Sequence, residues 1–369
     1  MHINVNGLPQ VSICNVDGTG LTRLTDDPKG RYGTLFTQGG GPARGISIHY
    51  AGSDPLQWEV VHWRLDDPDN AIVVPNASIE LGARFAPGHG NLLIFFRRYA
   101  GVPPSFRPVK LDCATLEEED ISPGTYGDCR DGWITFPPEF GGEMAVVAIT
   151  GTFANPRTHV RVWRKIAGVW TEVWTLAIGD IDPGSPSPGT RWFFSSLEPI
   201  VGGQGWNGHT YFTCDIQNAA SQPSRGQTWL LAMNGTSYRL DQGALNVYRE
   251  AENLILPDGR LIVYAIGTMN SHIGMWRMRT DLLPMRDAEL MSHPQEDYLD
   301  PEYLEDRVVF QDGDDVAWIG DLDDDGNLVS STGKDIRLAE NLWPVAFGTP
   351  SPVNGPELVP MNDESETWS

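Results

Sequence analysis

The feature that most constrains this chain is a weak internal period. A short acidic or proline-flanked lead-in to an apolar strand recurs at Pro-Pro-Glu139-Phe, Leu-Glu198-Pro-Ile-Val, Ala-Glu252-Asn-Leu-Ile-Leu, Pro-Glu302-Tyr-Leu and Pro-Glu357-Leu-Val-Pro, at spacings of 59, 54, 50 and 55 residues. Counting back 55 from Glu139 reaches Arg84, in Gly-Ala-Arg84-Phe-Ala-Pro, and a further 50 reaches Thr34, in Tyr-Gly-Thr34-Leu-Phe-Thr. That makes seven lead-ins. Self-similarity at such a period points to stacked repeats, not to the two or three independent domains that a length of 369 residues would suggest by itself.

Behind the later lead-ins comes a turn and a second apolar strand, as in Gly90-Asn-Leu-Leu-Ile-Phe-Phe, Gly142-Glu-Met-Ala-Val-Val-Ala-Ile and Gly259-Arg-Leu-Ile-Val-Tyr-Ala-Ile. A third strand follows, commonly with Trp (Val61-His-Trp63-Arg-Leu-Asp, Arg161-Val-Trp163-Arg-Lys, Thr228-Trp229-Leu-Leu, Met275-Trp276-Arg-Met), and then a polar turn into a fourth. Four short strands in roughly 50 residues make one blade of a β-propeller, and no such unit can bury both of its faces alone. No window has the apolar period of a long amphipathic helix. The chain therefore reads as all-β, a single seven-bladed β-propeller domain, residues 1–369, of four-stranded antiparallel blades. The Trp residues are then blade-to-blade core.

The two ends fit the same count. Residues Val11 to Pro28, Val-Ser-Ile-Cys-Asn-Val-Asp-Gly-Thr-Gly-Leu-Thr-Arg-Leu-Thr-Asp-Asp-Pro, read as a strand, an Asp17-Gly18 turn and a second strand. An apolar strand, Asp-Gly-x-Gly and a closing Arg-Leu-Thr resemble the outer hairpin of a TolB-like β-propeller repeat. Too little chain precedes this hairpin to supply two inner strands, while the lead-in at Glu357 has only a short segment after it. One blade is therefore expected to be shared by about 1–28 and 355–369, which is a way of leaving no free sheet edge. The resemblance implies a fold more than an activity. Certain TolB-like propellers are polysaccharide lyases that place His, Gln and a divalent metal at the channel mouth, and many are periplasmic.

Composition narrows the function classes. The net charge is −23, from 49 acidic and 26 basic residues, and only four of the basic ones are Lys. Such a balance repels phosphate backbones and anionic membranes, so neither nucleic-acid binding nor membrane insertion is expected. No 18-residue apolar run and no basic-plus-apolar leader at Met1 is present, which predicts a cytoplasmic or virion-associated protein, or a periplasmic one if the chain is a mature form. Cys14, Cys113, Cys129 and Cys214 lack metal-ligand spacing and are read as buried thiols.

Three constellations are candidates for chemistry. In a propeller the innermost strands line a channel, so Glu139, Glu198, Glu252, Glu302 and Glu357, with Arg84 as the basic member, form a candidate ring at one mouth, suited to a metal, an amine or a sugar. His209 and His272 lie near two of these positions in sequence and complete a lyase-like set. Asp321-Leu-Asp323-Asp-Asp325-Gly326-Asn327 has the alternating carboxylates of a calcium loop, but Val329 and Thr332 stand where such loops place their closing acid, and the string also fits a plain Asp-Gly turn. No cofactor is certain; calcium or another divalent cation is the candidate. The irregular stretches Gln38 to Gly45, Asp180 to Gly189 and Leu283 to Asp300 are loop candidates, the last with a helical turn around Asp287-Ala-Glu-Leu-Met. With no Gly-x-Ser-x-Gly, Walker or His-Glu-x-x-His motif, the reading is a non-enzymatic interaction or assembly module with protein partners, such as part of a virion. The alternative is a carbohydrate-active, metal-assisted lyase at the channel mouth.

Overall fold

The computed structural model describes residues 2–5, 8–13, 22–36, 43–49, 59–78, 83–185, 190–200, 209–218, 225–240, 246–247, 252–256, 258–269, 272–279, 289–290, 299–304, 307–311, 317–327, 350–351 and 355–356. All the sheets are antiparallel and built from consecutive strands. The first has three strands, β1 (His2–Val5), β2 (Leu8–Ile13) and β3 (Thr22–Arg23). Four sheets of four strands follow: β4 (Arg31–Phe36), β5 (Arg44–His49), β6 (Glu59–Arg64) and β7 (Asp67–Val73); then β8 (Ala83–Ala86), β9 (His89–Tyr99), β10 (Ser105–Asp112) and β11 (Glu117–Asp120). The third comprises β12 (Asp128–Thr135), β13 (Ala145–Gly151), β14 (His159–Ile166) and β15 (Val169–Ala177), and the fourth β16 (Trp192–Pro199), β17 (Tyr211–Asn218), β18 (Arg225–Ala232) and β19 (Ser237–Arg239).

The next sheet has its first strand in two pieces, β20 (Asn246–Val247) and β21 (Glu252–Ile255), both paired to β22 (Leu261–Met269), which pairs with β23 (His272–Arg279) and then β24 (Glu289–Leu290). A three-stranded sheet follows, β25 (Leu299–Leu304), β26 (Arg307–Gln311) and β27 (Ala317–Asp321), and a short pair, β28 (Pro350–Ser351) with β29 (Gly355–Pro356).

Strand alternation explains why these sheets stack. On β9, Leu93 and Phe95 pack into the sheet before, with Ile46 and Val60, while Ile94 and Phe96 pack into the sheet after, with Ile134 and Val146. On β13 the same split sends Val146 and Ala148 back, and Val147 and Ile149 forward onto Phe194, Phe212 and Trp229. Strands β9 and β13 are therefore apolar on both faces, which makes each sequence a near-continuous hydrophobic run. Trp63, Trp133, Trp163, Trp229 and Trp276 are all buried between sheets, as expected of blade-to-blade core. Cys113, Cys129 and Cys214 are buried free thiols; burial pushes Cys113 up to about 12 and the other two well above the usual thiol range.

The first strands of successive sheets lie side by side, β8 against β12 and β12 against β16. These inner strands are irregular: β4, β8, β12, β16 and β25 each shift register against their partner, and the β20–β21 strand is broken. A bulge sharpens local twist and re-aims one side chain, and inner strands crowded around an axis are where both effects are wanted.

Several expectations need correction. The Pro-Pro-Glu139-Phe lead-in is not on an inner strand. Prolines lack the N–H that a ladder needs, so the chain leaves β12 and makes a 3-10 turn at Pro138–Phe140, closed by Gly141 in the left-handed region at φ 68°. The helical turn expected around residue 289 is strand: Glu289 and Leu290 pair with Arg277 and Trp276. The N-terminal sheet has a strand more than expected, β1, paired in register with β2. Cys14, the Asp17-Gly18 turn, residues 37–42 and Glu357 with the segment after it lie outside the described residues.

Candidate functional site

Where the inner strands of the four-stranded sheets meet, three charged side chains from three consecutive sheets converge. Arg84 (β8) has its guanidinium 3.8 Å from Asp131 Oδ1 (β12) and 3.9 Å from Glu198 Oε1 (β16). The three side chains are only 4, 11 and 13 % exposed, so the cluster is largely removed from water. The Arg84 guanidinium also lies over the Trp133 ring, 5.3 Å from its centroid. Two of the three, Arg84 and Glu198, fall at equivalent points of the sequence period.

Asp131 was not picked out by sequence. It sits in the β12 bulge between Arg130 and Trp133, at φ 46°, in the left-handed region that Asp tolerates better than most side chains. Its neighbour Gly132 has no room for a side chain: a Cβ there would stand 2.7 Å from Phe96 Cζ and 2.8 Å from Ile94 Cδ1. The available signal was an Asp-Gly pair inside an apolar strand, which marks a bulge or a close backbone approach.

Glu139 acts one turn away. Its carboxylate accepts the Thr210 N–H at 2.6 Å and the Thr210 hydroxyl at 3.0 Å, so the 3-10 turn of one sheet clamps the start of β17 in the next. His209, with a half-exposed side chain, has Nδ1 3.7 Å from the same carboxylate. Glu252 and Glu302 have their backbones on the inner strands β21 and β25, and His272 opens β23; the positions of these three side chains lie outside the described residues, as does Glu357. The structure thus brings together Arg84 with Glu198, and Glu139 with His209.

The acidic string at 321–327 forms a tight turn after β27. Asp323 Oδ1 accepts the backbone N–H groups of Asp325 and Asn327 at 2.9 and 2.8 Å, and both Asp323 oxygens accept the Asn327 amide. Burial raises the Asp323 pKa, but the Asn327 and Asp325 donors outweigh it and hold the carboxyl below its ordinary value. Asp325 Oδ1 meets Arg260 at 2.9 Å, Arg277 donates to the Asp325 carbonyl, and Tyr264 donates to the Gly326 carbonyl. The turn is thus fastened onto the preceding sheet through one acid, Asp325, and through its backbone carbonyls. Among the described residues, no group of three or more His, Cys, Asp or Glu side chains is placed to hold a metal.

No family model and no curated protein matches the chain. Solved structures do. A puromycin-hydrolysing peptidase of Mycobacterium tuberculosis matches with a TM-score of 0.56 at 15 % identity, over 91 % of this chain and 50 % of the peptidase. This chain spans half the length of that protein. The β-propeller domain of a trilobed protease from Pyrococcus furiosus, described as having an open velcro topology, matches at 0.48 and 10 % identity over 84 and 86 % of the two chains. TolB from Acinetobacter baumannii matches at 0.42 and 11 % identity over 74 and 57 %. The fold is a β-propeller. Its blades are the stacked sheets, and the Arg84–Asp131–Glu198 cluster sits where three blades meet on the inner side of the propeller. At these identities the likeness extends to the fold alone.

Proposed function

We propose that this propeller is a non-enzymatic protein-interaction module of the TolB-like kind, with seven blades and the terminal blade shared by the two chain ends. The observation that carries the reading is what the inner charges do. Arg84, Asp131 and Glu198 cross-link three blades, and Glu139 adds a further clamp between two of them, so these groups stiffen a scaffold whose loops are left to bind. Among the described residues no helix is long and apolar enough to cross a membrane. The test is the mass of the complex in which the native protein is found, measured by light scattering after gentle extraction. A stable assembly with other polypeptides supports the reading, and its size bears on whether that assembly is a particle such as a virion. A protein recovered only as a free monomer overturns it.

The second reading, a metal-assisted polysaccharide lyase, is favoured by one observation: exposed His209 beside the Glu139 carboxylate at a blade junction. Incubation with uronate-containing polysaccharides, with and without divalent metal, would reveal it by the ultraviolet absorbance of the unsaturated product. The assay is decisive when the His209→Ala variant is silent and the parent is not.

A further inference from the structure

The blade made of β4 to β7 differs from the three that follow in one respect: it buries a histidine on each face. His49, on β5, is 8 % exposed and faces the N-terminal sheet. Its Nε2 lies 2.9 Å from Asp27 Oδ2, which also accepts Arg31 Nε at 2.9 Å; its Nδ1 is 3.8 Å from Glu59 Oε2, which Lys29 approaches at 3.0 Å. Asp27 is the hub of a clasp. Its backbone N–H donates to Gln10 Oε1 and its carbonyl accepts Gln10 Nε2, while Thr25 donates to the same Gln10 oxygen and accepts the Val11 N–H. Gln10 and Val11 belong to β2, so this network is what holds the N-terminal sheet to the first four-stranded blade, with Val11, Val61 and Trp63 packed behind it.

His62, on β6, is fully buried, and among the described residues neither of its ring nitrogens meets a hydrogen-bond partner. Its neighbours on the side of the next blade are Ile46 and Val60, and the charged group facing it among the described residues is Arg44, held by Asn91 at 3.0 Å and lying also beside the Cys113 thiol. Among the described residues, a proton on His62 would therefore meet a like charge and no acceptor. A proton on His49 would be buried among Arg31 and Lys29 as well as Asp27 and Glu59.

We propose that this blade is an acid-operated release: protonation of His49 and His62 loosens the β4–β7 sheet from both neighbours and frees the N-terminal sheet, while the blades after it stay closed. The direction follows from burial. Desolvation, with Arg44 beside His62, pushes His62 down to about 4 from its ordinary 6.5; desolvation likewise lowers His49, against the pull of Asp27. A folded pKa below the unfolded one means that the open chain binds the proton first, so stability is lost as pH falls below about 6.5 and the loss is complete near the folded value. Between pH 7 and about pH 4.5, His62 alone raises the opening equilibrium on the order of 10²-fold.

Hydrogen exchange followed by mass spectrometry at these two pH values tests this, after correction for the intrinsic pH dependence of exchange. Amides of residues 44–49 and 59–64 are expected to lose protection on the order of 10²-fold at the lower pH, and those of 211–218 and 225–232, strands without a histidine, to keep theirs. The His49→Gln/His62→Leu variant should lose this contrast. If the double variant does not fold, NMR titration of the His62 ring in the parent replaces it, since a ring titrating near its ordinary value overturns the proposal. Equal loss of protection in both regions, or an unchanged contrast in the variant, overturns it as well.

Discussion

Replacing Arg84 by Met should be among the most damaging single changes on the inner side of the propeller. The guanidinium stands 3.8 Å from Asp131 and 3.9 Å from Glu198. At an effective dielectric of about 20, each pair contributes about 4 kcal/mol of Coulomb attraction, which is offset by the cost of removing three charges from water. The net worth of the cluster is therefore small, but removing one member is not. Met keeps most of the volume and leaves two carboxylates buried without their cation, at a cost of about 3–5 kcal/mol. Loss of the contact with the Trp133 ring adds about 1 kcal/mol. The assay is urea unfolding followed by Trp fluorescence, comparing midpoints at constant slope. The triple variant Arg84→Met, Asp131→Asn, Glu198→Gln is the control: Asn also tolerates the left-handed backbone at 131, and with no charge left the triple should recover most of the lost stability. A single variant costing under about 1 kcal/mol, or a triple as unstable as the single, would refute the idea that this is a mutually compensated buried cluster.

Other consequences are simpler. Phe95→Ala, at a fully buried site between two blades, should cost about 3–5 kcal/mol, read from the same unfolding curves. Gly326→Ala should cost about 2 kcal/mol or more, since the residue is at φ 73° and a Cβ would stand 2.5 Å from the Tyr264 hydroxyl; Gly259→Ala, at φ 87° with open space around it, isolates the backbone part, about 1 kcal/mol. Calcium and chelator should leave the melting temperature unchanged, because the Asp323 carboxylate is already engaged by its own turn; a calcium-dependent rise would support the calcium-loop reading of 321–327. Removing residues 355–369 should lower stability by several kcal/mol if they complete the terminal blade, the apolar contacts of a buried strand being at stake, and no change would separate the two ends.

How much of this was written in the sequence depended on whether period survived folding. Strands such as β9 and β13 are buried on both faces, so they stand out as apolar runs, and their repetition carries the blade order. Arg84 and Glu198 share a place in that period and do meet. Asp131 was hidden because a bulge changes strand parity: counting by twos across Arg130 to Trp133 sends it to the wrong side. Glu139 was misplaced for the opposite reason. Pro137 and Pro138 look like a strand lead-in when counted by interval, yet a residue without an N–H ends a ladder. Long-range partners such as Thr210, 71 residues from Glu139, leave no local trace.

The turn after β27 leans on the blade before it, with Gly326 against Tyr264; the turn after β18 does the same, with Gly235 against Trp174. Both joints are one-directional, each repeat gripping its predecessor through a residue too small to replace. A lesion at such a joint should therefore be felt by one upstream neighbour and not along the whole row of blades. Repeats joined in this way can be gained or lost as whole units, provided the glycine and the aromatic that receives it travel with the blades on either side of the cut.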